Sequence, residues 1–150
     1  MKLPIKLKIG ILLWTALAPM ASGVEPWEGR YIWTNDNEGS SPATISKHVS
    51  LQLSVGEDGK VIVSCEVLWK PGMDADFGAI VESSALVDRT LEDGTVAIVI
   101  PFSFEDSNEN KGTGEIEVNG SSATIKIVNA EVTFPESARQ YGTYQLRKVL

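Results

Sequence analysis

The 150-residue chain is predicted to be all-β, with about eight antiparallel strands closing into an up-and-down barrel and a β-sandwich as the alternative. Three observations predict this. Apolar and polar residues alternate with a period of two through most of the chain, as strands with one buried face require. Clusters of turn-forming residues separate these stretches at hairpin-length intervals. No segment beyond residue 23 carries a convincing helical pattern, and there is no internal repeat. A barrel is preferred to a sandwich because pairing the first strand with the last removes exposed edges.

Residues 1–23 read as a secretory signal peptide. Lys2, Lys6 and Lys8 form a basic start, Ile9 to Ala18 an apolar core, and Ala21 and Gly23 a small-x-small cleavage pattern. The apolar run is about half the roughly 20 residues that a membrane-spanning helix needs. No Cys directly follows it, which excludes a lipid anchor at that point. The expected product is a periplasmic or secreted single domain, residues 24–150, with no membrane contact after cleavage.

The strands follow in order. In WEGRYIW, Trp27, Gly29, Tyr31 and Trp33 share one face. In KHVSLQLSV, Val49, Leu51, Leu53 and Val55 alternate with His48, Ser50, Gln52 and Ser54. In KVIVSCEVLW, Val61, Val63, Cys65, Val67 and Trp69 share a face, and the intervening VGEDGKV is turn chemistry with Gly59 available for positive φ. FGAIVESSALVD (77–88) is expected as one strand. TVAIVIPFSF puts Val96, Ile98, Ile100, Phe102 and Phe104 on one face. Pro101 lacks an N–H, so that strand should be an edge there or carry a bulge. GEIEV and ATIKIV flank Asn119-Gly120, a strong hairpin signal. A two-residue turn there sets Ile116 opposite Ala123; a four-residue loop shifts the register by two and keeps the same inner face. The closing QYGTYQLRKV directs Gly142, Tyr144 and Leu146 inward.

Beyond residue 23, 10 Lys and Arg stand against 20 Asp and Glu, a net charge of −10. Such a chain repels phosphate backbones, which argues against nucleic-acid binding and suits a cationic protein partner. Cys65 is the only cysteine, so neither an internal disulfide nor a tetrathiolate metal site can form.

The opening WEGRYIW resembles the Gly-x-aromatic first strand of calycin-type barrels, the group of lipocalins, fatty-acid-binding proteins and avidins. WTNDNEGS (33–40) is similar to the first ligand-binding strand of avidins. The resemblance implies a lipocalin-like barrel open at one end to a ligand, with Arg147 or Lys148 packing across the opening aromatic. The tryptophan strands that wall the avidin pocket have no counterpart here.

Candidate chemistry is sparse. Asp106, Asn108, Asn110 and Glu117 match positions 1, 3, 5 and 12 of a calcium loop. Lys111 stands where that loop requires Gly, and no helices flank it, so a polar strand-to-strand loop explains the same residues. His48 lies on a polar face and Cys65 on an apolar one; no Gly-x-Ser-x-Gly elbow or Gly-rich phosphate loop accompanies them. Acid pairs such as Glu57/Asp58 and Asp74/Asp76 are too numerous to specify a hydrolase. The chain is therefore read as non-catalytic and cofactor-free. The first expectation is a binding protein for a small apolar ligand, lined by Tyr31, Trp33, Asn35, Trp69 and Phe102. The alternative is an acidic protein-interaction module, such as a periplasmic enzyme inhibitor or immunity-type protein.

Overall fold

The structure, a computed structural model, describes residues 25–34, 48–70, 73–133, 135 and 141–149. The expected leader, Asn35 and most of the first polar loop lie outside the described residues. The strands are β1 (Gly29–Thr34), β2 (His48–Val55), β3 (Val61–Lys70), β4 (Met73–Val81), β5 (Val87–Thr90), β6 (Val96–Glu105), β7 (Lys111–Asn119), β8 (Ser122–Glu131) and β9 (Thr143–Val149). They form one sheet in the order β4-β3-β2-β1-β9-β8-β7-β6-β5, every neighbour antiparallel. The sheet curls into an up-and-down half-barrel. Among the described residues, no helix is long and apolar enough to cross a membrane.

First and last strands pair as closure demands, Tyr31 opposite Lys148 and Ile32 opposite Arg147. The two rims, β4 and β5, are consecutive in the chain. The stretch expected as one strand, 77–88, divides at the 3-10 turn Ser83–Ala85. There the chain leaves the flank of β3 and takes up the flank of β6. That division is why nine strands stand where about eight were expected.

Alternation builds the core. Tyr31, Val49, Leu51, Leu53, Val61, Val63, Cys65, Val67, Ile100, Phe102, Ile116, Ile125 and Leu146 are all buried, and the side chains between them on the strands face outward. β7 and β8 take the second of the two expected registers, with Ile116 opposite Ile125 and Gly114 opposite Ile127. The turn itself is Gly120-Ser121, closed by Asn119 opposite Ser122, with Gly120 at φ 62°. Gly in the first central position meets the positive φ of a type II′ turn. Gly114 also lies opposite Phe102 on β6, and a Cβ there would stand 2.5 Å from Phe102 Cζ. The small residue makes room for the large ring, as tight curvature requires.

Pro101 behaves as an edge residue. The last β5 partner on β6 is Val99, opposite Val87, so from Pro101 onward β6 has a ladder only with β7.

Candidate functional site

The two ends of the half-barrel differ. Where β1 begins, the 25–28 turn folds beneath the sheet and Trp27 is buried. Tyr31 Oη donates to the Trp27 carbonyl at 2.8 Å, and Val55 N donates to Glu28 Oε1 at 3.0 Å. Lys148 Nζ donates to the Pro26 carbonyl at 2.9 Å while lying 5.9 Å from the centre of the Tyr31 ring. Of the two basic residues expected near the opening aromatic, Lys148 takes that place. These bonds fasten the turn to the sheet, and beside it lies an open cavity of about 260 Å³ lined by residues including Pro26, Trp27, Val96, Ile98 and Val118.

The opposite end, where β1, β3, β6 and β8 finish, is aromatic. On one wall Trp33 meets Tyr144 with ring centres 4.9 Å apart. On the other, Phe77 of β4 stacks on Phe104 at 4.5 Å and Phe102 at 5.6 Å, and Tyr141 meets Phe104 edge-on at 5.5 Å. These separations are those of favourable aromatic pairs. Trp33, Tyr141 and Tyr144 are only partly buried. Cys65 is buried, and burial, reinforced by the neighbouring Glu66 charge, pushes its thiol up to about 12. It is a small core residue and a poor nucleophile.

The residues expected to line a ligand site are thus distributed unevenly. Trp33 stands at the aromatic end, Phe102 in the stacked wall, and Tyr31 deep in the core with its hydroxyl committed to Trp27. Trp69 belongs to β3, but its side chain, like Asn35, lies outside the described residues. Tyr141, missed by the sequence reading, precedes β9, so strand alternation did not govern where its ring points.

Burial raises the hydroxyl pKa of Tyr31, Tyr141 and Tyr144 above 10.0; the bond to Asp106 adds to the effect at Tyr141. A pKa raised on folding favours the folded state fully below the ordinary tyrosine value, and the benefit is lost as pH climbs above it. Stability is expected to fall above about pH 10. Phenolate absorbance should stay low until the chain unfolds, which a pH titration monitored near 295 nm will check.

The calcium-like motif resolves into a turn. Asp106 and Asn110 are buried, and the carboxylate of Asp106 accepts four hydrogen bonds. Oδ1 takes the backbone N–H of Asn108 (2.8 Å) and Asn110 (2.9 Å); Oδ2 takes Asn110 Nδ2 (3.1 Å) and Tyr141 Oη (2.8 Å). Asn110 Oδ1 in turn accepts Thr133 N at 2.7 Å. Glu117 lies apart, on the outer face of β7, with Oε2 2.9 Å from Arg89 Nη1. The same backbone turn occurs at Gly56–Lys60 and Leu91–Thr95, where Gly59 and Gly94 hold the positive-φ position. Here Glu109 holds it at φ 67°, and the Asp106 bonds offset the strain. Four bonds occupy the lone pairs of a carboxylate. Millimolar calcium is accordingly expected to leave the melting temperature unchanged in a thermal scan.

A second acidic group was not foreseen. Register sets Glu66 opposite Asp76 and Leu68 opposite Asp74 on the outer face of β3 and β4. The carboxylates of Glu66, Asp74 and Asp76 lie within 4.8 Å of one another. His48 Nε2 stands 3.6 Å from Glu66 Oε1. Asp74/Asp76 was visible as an alternating acid pair; Glu66 joins only once the hairpin register is known. In comparisons with protein-family models, curated proteins and solved structures, nothing matches this chain.

Proposed function

We propose that the chain is an exported, non-catalytic binding protein that holds a small apolar ligand against the aromatic side chains at one end of its half-barrel. The leader pattern supports a periplasmic or secreted location. What carries the binding reading is the asymmetry of the two ends. At one, hydrogen bonds of Tyr31 and Lys148 hold the 25–28 turn against the sheet, while at the other Trp33, Tyr141 and Tyr144 gather as partly exposed aromatic side chains. Flat rings with hydroxyl or indole rims suit an apolar ligand with a polar edge.

Titration with the apolar fluorophore 1-N-phenylnaphthylamine tests this. Saturable binding is expected, with a loss of at least about tenfold in affinity, or ~1.4 kcal/mol, in Trp33→Ala and in Tyr144→Ala. Absence of saturable binding, or affinity unchanged from the unsubstituted protein in both variants, would refute it.

A second reading, recognition of a cationic protein, is favoured by the crowding of Glu66, Asp74 and Asp76. Among the described residues, the ion pairs of Lys60 and Arg89 go elsewhere, to Glu82 and to Glu115 and Glu117.

A further inference from the structure

The first described residues border a cavity. Glu25, Pro26 and Trp27 form one side of the open space of about 260 Å³, and Val96, Ile98 and Val118 form the other. On the strand side the walls are apolar. Ile98 stands opposite Val118, and alternation puts Val96 on the same inward face. Val96 is nevertheless 55% exposed, because the cavity lies against it. An inward apolar position left open at the end of a sheet is a place for a further apolar group.

The surroundings are acidic. Glu25 lines the cavity, and Asp88 of β5 stands exposed opposite Ile98. At the turn itself the half-buried Glu28 has its carboxylate fixed at both oxygens. Oε2 accepts Glu25 N at 2.7 Å and Oε1 accepts Val55 N at 3.0 Å. Among the described residues no lysine or arginine forms an ion pair with Glu28, and the Lys148 ammonium goes to the Pro26 carbonyl. Covalent geometry then limits where the preceding residue can be. Backbone bond lengths keep the nitrogens of consecutive residues within about 3.7 Å. The nitrogen of Val24 therefore lies within about 6.4 Å of Glu28 Oε2 in any conformation.

We propose that removal of the leader creates the occupant of this cavity: the isopropyl group of Val24 seats against Trp27, Ile98 and Val118, and its new α-ammonium pairs with Glu28. The proposal rests on the exported reading above, with cleavage after Gly23. In that step the Gly23–Val24 peptide bond is hydrolysed by a leader peptidase. The hydroxyl of water goes to the Gly23 carbonyl and its hydrogen to the Val24 nitrogen, which takes up a proton at neutral pH. Before cleavage the same nitrogen is a neutral amide and offers Glu28 no charge. Afterwards one residue carries both an apolar side chain and a cation, which is what apolar walls beside a held carboxylate accept. Attachment to Glu25 keeps the local concentration high, so no free ligand is needed. The processed terminus then fastens the 25–28 turn and, through Glu28 and Val55 N, the end of β2. With this cavity filled by the chain itself, an apolar ligand is left the aromatic end.

The full-length chain, exported and purified, is first weighed by intact mass spectrometry. A chain starting at Val24 is expected; any other first residue overturns the proposal, and a retained leader overturns the exported reading with it. In the processed protein, nuclear Overhauser contacts from the Val24 methyls to the Trp27 indole and to the Ile98 and Val118 methyls are expected. Transamination with pyridoxal phosphate, which turns the α-amine into a ketone and spares lysines, should lower the melting temperature by about 2–4 °C. The same treatment of Glu28→Gln should change it by less than about 1 °C, because the partner is already gone. Val24→Gly, which keeps the ammonium, should also lose about 2–4 °C. Missing Overhauser contacts, or an unchanged melting temperature in Val24→Gly, overturns the seating of the side chain. An equal effect of transamination with and without Glu28 overturns the ion pair. Either failure after cleavage at Val24 overturns the proposal and leaves the exported reading standing.

Discussion

Replacing Phe77 with alanine is expected to destabilise the domain by about 3–5 kcal/mol, the range for removing a buried aromatic side chain. Phe77 is the residue through which β4, at one rim of the sheet, reaches β6. Its ring is buried, stacked on Phe104 and Phe102, and edge-on to Tyr141 at 6.3 Å. With no ladder between the two strands, the ring and the Asp76–Ser107 bonds fasten β4 to the end of β6. A melting-temperature drop on the order of 10 °C should follow. Ile80→Ala, three residues along the same strand but on the outer face, is the matched control. It should shift stability by no more than about 0.5 kcal/mol. Equal losses in the two variants would mean that inside and outside of β4 have been assigned wrongly.

Asp106→Asn is expected to cost about 2–4 kcal/mol although it is isosteric. All four groups that Asp106 meets are donors: the N–H groups of Asn108 and Asn110, the Asn110 amide and the Tyr141 hydroxyl. An asparagine amide nitrogen placed among them replaces acceptor lone pairs with further donors, and the site is buried. Denaturant unfolding gives the stability, and hydrogen exchange should show lost protection at Asn108 and Asn110. The effect also reaches β9, because Tyr141 loses the acceptor that holds it against Phe104. Loss of protection confined to residues 106–110 would show that Tyr141 is held by packing alone.

What could be read from the amino acids was whatever depends on neighbours one or two residues away. The 48–55 and 61–67 stretches obey their alternation because each buried side chain meets the same core. Non-local effects escaped. Ala97 and Val99 sit on the polar-face parity of β6 yet are buried. On that face Arg89 of β5 reaches across to Glu115 and Glu117 of β7. The break at Ser83–Ala85 is where the chain passes from pairing with β3 to pairing with β6, a change of partner invisible to a local pattern. The 106–110 segment has metal-like spacing, but its meaning depends on Thr133 and Tyr141, which arrive from distant sequence. For the ligand site, Trp33 was named and Tyr141 and Tyr144 were not, since the rings gather by tertiary packing rather than by spacing.

The most direct test of the binding account is where an apolar probe sits. Intermolecular nuclear Overhauser contacts between bound 1-N-phenylnaphthylamine and the aromatic side chains will locate it. Contacts to the rings of Trp33, Tyr141 and Tyr144, with none to Trp27, are the expected result. Contacts centred on Trp27 and the 25–28 turn, or on the outer face, would contradict the account.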